Sequence, residues 1–370
     1  MTSITRRAAL AALATAPLVT AAWQLHALRA PQALDLPPLQ PAIGRVPSLG
    51  IHTRLTGIGD AAYIGRALDQ VRAMGAHWIT DLFPWAYAQP RSRYGFDWNG
   101  HDLVIRHAER RGLRVIARLD IVPPWARTPG SSDRLLTADR YVDYAEYVAA
   151  FLARYRPYGV RHVVIWNEPN LAFEWGRRAP DPEAYAALLR EVYPRARAAA
   201  PDCVVVAGAL SPGESLGGQA EVRLGDLPYT ERFFAAGGGA WCDAWAVHSY
   251  GARVAHDSAP AATIVNFRRT EIVRDLLERA GAGQLPLLIT EGGWNDSPRW
   301  SGAVRAADRV RWTIGAYELA QQWPWLEACC LWQFATPFRT GTYQDSWNFV
   351  AADGTPRAIY EAVRQYAVGP

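Results

Sequence analysis

His162-Val163-Val164-Ile165-Trp166-Asn167-Glu168-Pro169-Asn170 runs three β-branched residues together and then breaks at a proline. Pro182 to Ala199 follows with apolar residues at helical spacing. A short continuous apolar run of this kind reads as a buried strand, and the stretch behind it as the helix that covers it.

The unit recurs along the chain. Comparable runs lie at Leu49 to Thr53, His77 to Phe83, Leu113 to Leu119, Cys203 to Ala209, Ala244 to Tyr250, Pro286 to Thr290 and Ala328 to Phe334. Helical spacing follows them, for example at Ala61 to Met74, Tyr141 to Tyr155, Val304 to Gln321 and Pro356 to Tyr366. Eight strand-then-helix units within residues 48–370 predict an α/β fold, a (β/α)8 TIM barrel forming one domain. An open doubly wound sheet is the alternative, and it wants a glycine-rich phosphate loop after its first strand. Gly50-Ile51-His52-Thr53 offers none.

Half the chain is apolar and 11% is aromatic, which excludes disorder for most of its length. The net charge is +4, every basic residue is arginine, and the arginines cluster no further than pairs such as Arg110-Arg111 and Arg177-Arg178. Nucleic acid is therefore excluded as the principal partner, because phosphate tracking needs a concentrated basic face. Cys203, Cys242, Cys329 and Cys330 show no CxxC spacing and no neighbouring histidine cluster, so no zinc site is indicated. Buried thiols are the favoured reading, with a Cys203–Cys242 bridge left open because both precede runs expected to be neighbouring strands.

Arg6-Arg7 stands before an uncharged apolar run from Ala8 to Trp23, so residues 1–30 are expected to be an export signal of twin-arginine type. The run is shorter than the roughly 20 residues that span hydrocarbon. The alternative is an N-terminal anchor with membrane association through residues 8–23. Either places the protein outside the cytoplasm, in the periplasm or beyond. Residues 31–47 carry Pro31, Pro37, Pro38, Pro41 and Pro47 and are expected to form a stiff linker.

In a barrel of this type chemistry sits where strands end. The fourth run ends at Glu168, behind an amide and ahead of a proline, and the seventh ends Thr290-Glu291-Gly292-Gly293-Trp294, with glycines expected to let the backbone turn away. Two carboxylates at one mouth are the apparatus of glycoside cleavage, one giving a proton to the leaving oxygen and the other attacking the sugar or activating water.

Trp166-Asn167-Glu168-Pro169-Asn170-Leu171, with Phe173, Trp175 and Pro182 to Tyr185, resembles the acid/base segment of glycoside hydrolase family 39 and its clan A relatives. His248-Ser249-Tyr250-Gly251, Thr290-Glu291 and Leu331-Trp332-Gln333-Phe334 extend the resemblance from about Gly50 to the C-terminus. It implies a retaining β-glycosidase acting on a poly- or oligosaccharide without metal or organic cofactor. Glu168 would be the acid/base, Glu291 the nucleophile, Asn167 the holder of the sugar 2-hydroxyl, and Tyr250 and His248 the support of the nucleophile. The same site could transfer the glycosyl group to another sugar, and a non-catalytic glycan-binding barrel tied to exopolysaccharide assembly is the competing class. Trp332 is expected as a sugar platform, and Trp175, Trp125 and Trp294, all in loops after strands, as further subsites. Arg118 is expected to touch either the nucleophile, a sugar hydroxyl or Asp120, while His52, Asp120 and Asp345 are expected to be structural.

Overall fold

The computed structural model of the protein describes residues 34–216 and 221–369. The expected export signal, and the membrane contact through residues 8–23, lie outside the described residues. Among those described, no helix is long and apolar enough to cross a membrane.

Eight parallel strands close in sequence order: β1 Leu49–His52, β2 Trp78–Pro84, β3 Arg114–Asp120, β4 His162–Ile165, β5 Val204–Leu210, β6 Ala244–Tyr250, β7 Leu287–Gly293 and β8 Leu326–Leu331. The seam pairs Leu49 with Cys329 and Ile51 with Leu331, so no strand edge is left open. Outside them run α1 Ala61–Ala73, α2 Asn99–Arg110, α3 Tyr141–Tyr155, α4 Pro182–Ala199, α5 Asp226–Ala235, α6 Arg269–Arg279, α7 Ala306–Ala320 and α8 Ala358–Val368. This is the (β/α)8 barrel expected from the repeat. Local chemistry sets helix starts: Asp181 caps α4 by accepting from the Ala184 amide, and Pro182 takes the first helical position, where its missing N–H costs nothing.

Strand alternation separates two cores. Trp78, Ile116, Val164, Val206, Leu288 and Cys330 point inward and plug the barrel. The residues between them face the helices. The plug admits one indole only because its neighbours are small: a Cβ on Gly50 would stand 2.4 Å from Cys330 Sγ and 2.8 Å from Trp78 Cβ.

Tyrosines from the helices satisfy carbonyls near the strand ends. Tyr144 donates to Leu119 O, Tyr147 to Phe83 O and Tyr317 to Gly50 O, at 2.6, 2.8 and 2.8 Å. Tyr185 donates to Ile165 O at 2.7 Å and accepts from the Gly208 amide at 3.2 Å, joining β4 to β5. Tyr185→Phe strands both groups in a dry setting and is expected to lower stability by about 1–3 kcal/mol. A fall in the urea midpoint with unchanged slope checks this, and an unchanged midpoint refutes it.

Two expectations need correction. Residues 40–47 do not hang as a linker: Gln40 donates from its amide to Arg110 O and Arg45 to Ala367 O, the Trp78 indole donates to Pro47 O, and Val46 is buried in the core. The bottom of the barrel exposes the ends of α2 and α8 and the indole N–H, and this segment supplies their partners. All four cysteines are free and buried, so the Cys203–Cys242 bridge is not formed. Burial pushes the Cys203 thiol up to about 11 and Cys242 to about 12, which keeps both protonated and inert.

Candidate active site

On several strands the inward column changes character one step above the plug. Ile116 is followed inward by Arg118, Ala246 by His248, Gly50 by His52 and Cys330 by Trp332. At β7 a bulge intervenes: Val247 pairs with Ile289, but His248 pairs with Glu291, so Thr290 is skipped and Glu291 joins the inward layer. The strand continues through Gly292 and Gly293 instead of turning away at them. A Cβ on Gly292 would lie 2.6 Å from Ser249 O, so the glycine serves the close approach of β6.

Glu168 arrives by a different device. Trp166 and Glu168 both adopt left-handed backbone, with φ 72° and 39°. The Glu168 amide donates to Ala209 O at 3.0 Å, next to the irregularity in β5. Asn170, fully buried, clamps the turn by donating to Ser211 O and Leu224 O at 2.9 and 3.0 Å and accepting from the Ser211 amide at 2.9 Å.

Ligand atoms of Glu168, His248 and Glu291 all lie within 4.8 Å of one another. Arg118 Nη1 donates to Glu291 Oε1 at 2.5 Å and to Asn167 Oδ1 at 2.9 Å. The Tyr250 hydroxyl donates to Glu291 Oε2 at 2.7 Å. His248 Nδ1 lies 2.8 Å from Glu168 Oε1 and 3.7 Å from Glu291 Oε2. One imidazole nitrogen thus bonds the first carboxylate and stands close to the second, which is also held by an arginine and a phenol.

The charges follow from this packing. Burial opposes ionisation of Glu291, but the positive charges of His248 and Arg118 and the Tyr250 hydrogen bond outweigh it and hold the carboxyl down at about 2. His52, 3.9 Å from Glu291 Oε1, is pushed down to about 3 by burial and by Arg118, so at neutral pH it contributes no charge. Burial would lower His248, but Glu291 and then Glu168 raise it above its ordinary value, which favours the imidazolium as the link. Glu168, His248 and Glu291 are close enough to hold a cation. Arg118 already supplies Glu291 with its positive charge and opposes a second one.

Glu168, Glu291, Arg118, Asn167, Tyr250 and His52 line a cleft of about 560 Å³ that also takes in Arg54, Arg134, Glu174, Trp300, Trp332 and Trp347. Trp332 is half-buried in its wall, edge-on to His52 with ring centres 4.5 Å apart. Arg118 contacts Glu291 and also stands 3.7 Å from Asp120, while Asp345 ties its own loop through Thr340 and Gly341.

The expected tryptophan subsites are corrected by burial. Trp175 is 1% exposed and packs against Trp166 and Tyr185, with ring centres 5.8 and 6.1 Å away. Trp294 is equally buried, donates to Val254 O and lies against Phe267 and Trp312. Trp125 donates to Gln89 O at 2.7 Å, meets Trp85 edge-on and is not part of the cleft lining. Trp175→Ala is expected to cost about 3–5 kcal/mol of stability, as removal of a buried indole does. Thermal unfolding measures it, and a native-like melting temperature would contradict the packing role.

Glu174 was not anticipated. Its carboxylate lies 2.9 Å from Arg134, and Arg134 also holds Asp120 at 2.6 Å, so a chain of alternating charges runs from Glu291 through Arg118 to the cleft wall. Burial raises Glu174 to about 7 against the pull of Arg134. The one sequence signal was its place six residues after Glu168.

No family model matches the sequence, and no curated protein matches it. Solved structures do match. A family 39 glycoside hydrolase from the gut symbiont Bacteroides cellulosilyticus WH2 superposes with TM-score 0.68 at 18% identity, over 90% of this chain and 65% of that one. A monomeric β-xylosidase from Caulobacter crescentus CB15 gives 0.63 at 18% identity, over 88% and 69%. The family 39 enzyme from Xanthomonas axonopodis pv. citri gives 0.64 at 16%, over 90% and 70%. The chain spans about two thirds of the length of these three proteins. At these identities the likeness is one of fold: a (β/α)8 barrel similar to those of family 39 glycoside hydrolases.

Proposed function

We propose that the protein is a retaining β-glycosidase that cleaves a β-linked poly- or oligosaccharide by double displacement. The observation that carries the reading is the carboxylate pair: oxygens of Glu168 and Glu291 lie within 4.8 Å, in a cleft where Glu291 is held ionised. Inverting enzymes keep their carboxyl groups about 6.5–9.5 Å apart to admit a water, and retaining ones about 5–5.5 Å. The β-xylosidases among the structural neighbours support a β-linked substrate.

Glu291 attacks the anomeric carbon as Glu168 gives its proton to the departing glycosidic oxygen. His248 Nδ1–H donates to Glu168 Oε1, which leaves Oε2 to carry that proton. Water then attacks the glycosyl-enzyme ester, Glu168 takes its proton, and the sugar leaves with its starting configuration. Proton NMR of fresh product from an aryl β-glycoside panel tests this: the β-anomer should appear first, and the α-anomer would exclude the mechanism.

Trp332 serves as the sugar platform in this scheme. Trp332→Ala is expected to weaken oligosaccharide binding by about 1–3 kcal/mol, by analogy with stacked bases, while the fold survives. Titration with intact near-ultraviolet circular dichroism checks both halves; unchanged affinity refutes the platform.

A further inference from the structure

We propose that Arg54, Trp332 and His52 form a subsite for a sugar ring bearing a negative charge, a uronic acid or a ring with another acidic substituent. The subsite deepens the glycosidase reading and rests on it only for the sugar, not for the charge.

Three arginines line the cleft. Arg118 is neutralised by Glu291 and Asp120, and Arg134 by Asp120 and Glu174. The carboxylate of Asp81, below Arg54 in the same wall, is spent on Thr53 Oγ1 and the Leu55 amide at 2.7 and 2.8 Å. Arg54 is exposed, and among the described residues no carboxylate lies within 4 Å of it. It is nevertheless held in place: its Cζ sits 5.8 Å from the centre of the Trp332 ring. A ring face orients a guanidinium without cancelling its charge.

The second observation is His52. It is fully buried beside Trp332, lines the cleft, and among the described residues neither ring nitrogen has a hydrogen-bond partner. A buried polar atom left without a partner is costly unless something else fills the role. A sugar hydroxyl over Trp332 would supply it. The three groups then divide the work: the indole takes the C–H face of the ring, His52 a hydroxyl, and Arg54 the acidic group at the rim. Neutral sugars would satisfy the first two and leave the arginine idle.

The test compares two ligands that differ only in charge: cellohexaose, and the same oligomer oxidised at C6 to a β-1,4-glucuronate chain. Calorimetric titration of the wild type should show the oxidised chain bound about tenfold more tightly or better, the worth of one charge-assisted hydrogen bond. In Arg54→Gln that ratio should fall to near one, and Arg54→Lys should restore part of it. Raising salt from about 50 to about 500 mM should erode the ratio in the wild type alone. Equal affinities in the wild type, a preference that survives Arg54→Gln, or no binding of either chain overturns the subsite. If the oxidised chain binds through Arg54 but no glycoside of any kind is cleaved, the hydrolase reading fails and the charged subsite stands.

Discussion

Glu291→Ala should lose turnover on every glycoside by about 10⁴-fold or more, because the atom that forms the covalent bond is gone and no neighbour can replace it. Arg118 and Tyr250 hold the Glu291 oxygens from two sides, which in the proposed mechanism fixes the nucleophile on β7, and its loss leaves their polar groups facing an empty space. Glu168→Ala should behave differently. Dinitrophenyl glycosides depart without a proton, so they should still glycosylate Glu291, and azide entering beside the missing carboxylate should release a β-glycosyl azide. In Glu291→Ala azide should give only the α-azide, by direct attack on the vacated face. Reversed azide products would exchange the roles, and two variants with wild-type activity would leave a glycan-binding barrel.

Arg118→Met is the second large effect, expected to lower kcat/KM by about 10²–10³-fold, as loss of one preorganised charge donor does. The pH dependence separates an electrostatic role from a merely structural one. The Glu291 carboxyl is depressed to about 2, so the ionised form, and the stability it contributes, is present above the unfolded value of about 4.3 and is lost only as pH falls toward 2. Without Arg118 the burial penalty is opposed by His248 and Tyr250 alone, so the folded value rises and the acid limb of the activity profile should move to higher pH. Arg118→Lys should recover part of the rate, since it restores the charge but not the planar guanidinium that faces Glu291 through Nη1 and Asp120 through Nε at once. An acid limb that stays in place would mean that Arg118 only packs.

Legibility of the chain varied with the physics that sets each feature. The run Ala244 to Tyr250 and the helix Pro182 to Ala199 matched their observed bounds, because a short apolar core run and a proline beside an aspartate cap are local signals. The end of β7 was misread. Glycines signal a turn or a close backbone approach equally well in sequence, and only the position of Ser249 on β6 decides between them. The paired glutamates were visible because strand ends expose them, and the structure brings their oxygens and His248 together. Trp175 and Trp294 failed as subsites because a loop tryptophan can fold back onto the helices, as Trp175 does against Tyr185 of α4 and Trp294 against Trp312 of α7. Glu174 stayed hidden because its meaning depends on Arg134, which reaches it from the loop after β3.

The left-handed backbone at Glu168 has a consequence for the durability of the protein. A glutamate with φ 39° stands where glycine or asparagine would rest with less strain, and such positions cost on the order of 1–3 kcal/mol. Heat resistance and chemistry therefore pull this codon in opposite directions. A library selected for survival at high temperature alone would drift toward glycine or asparagine at 168, and its winners would be sturdier barrels with an idle cleft.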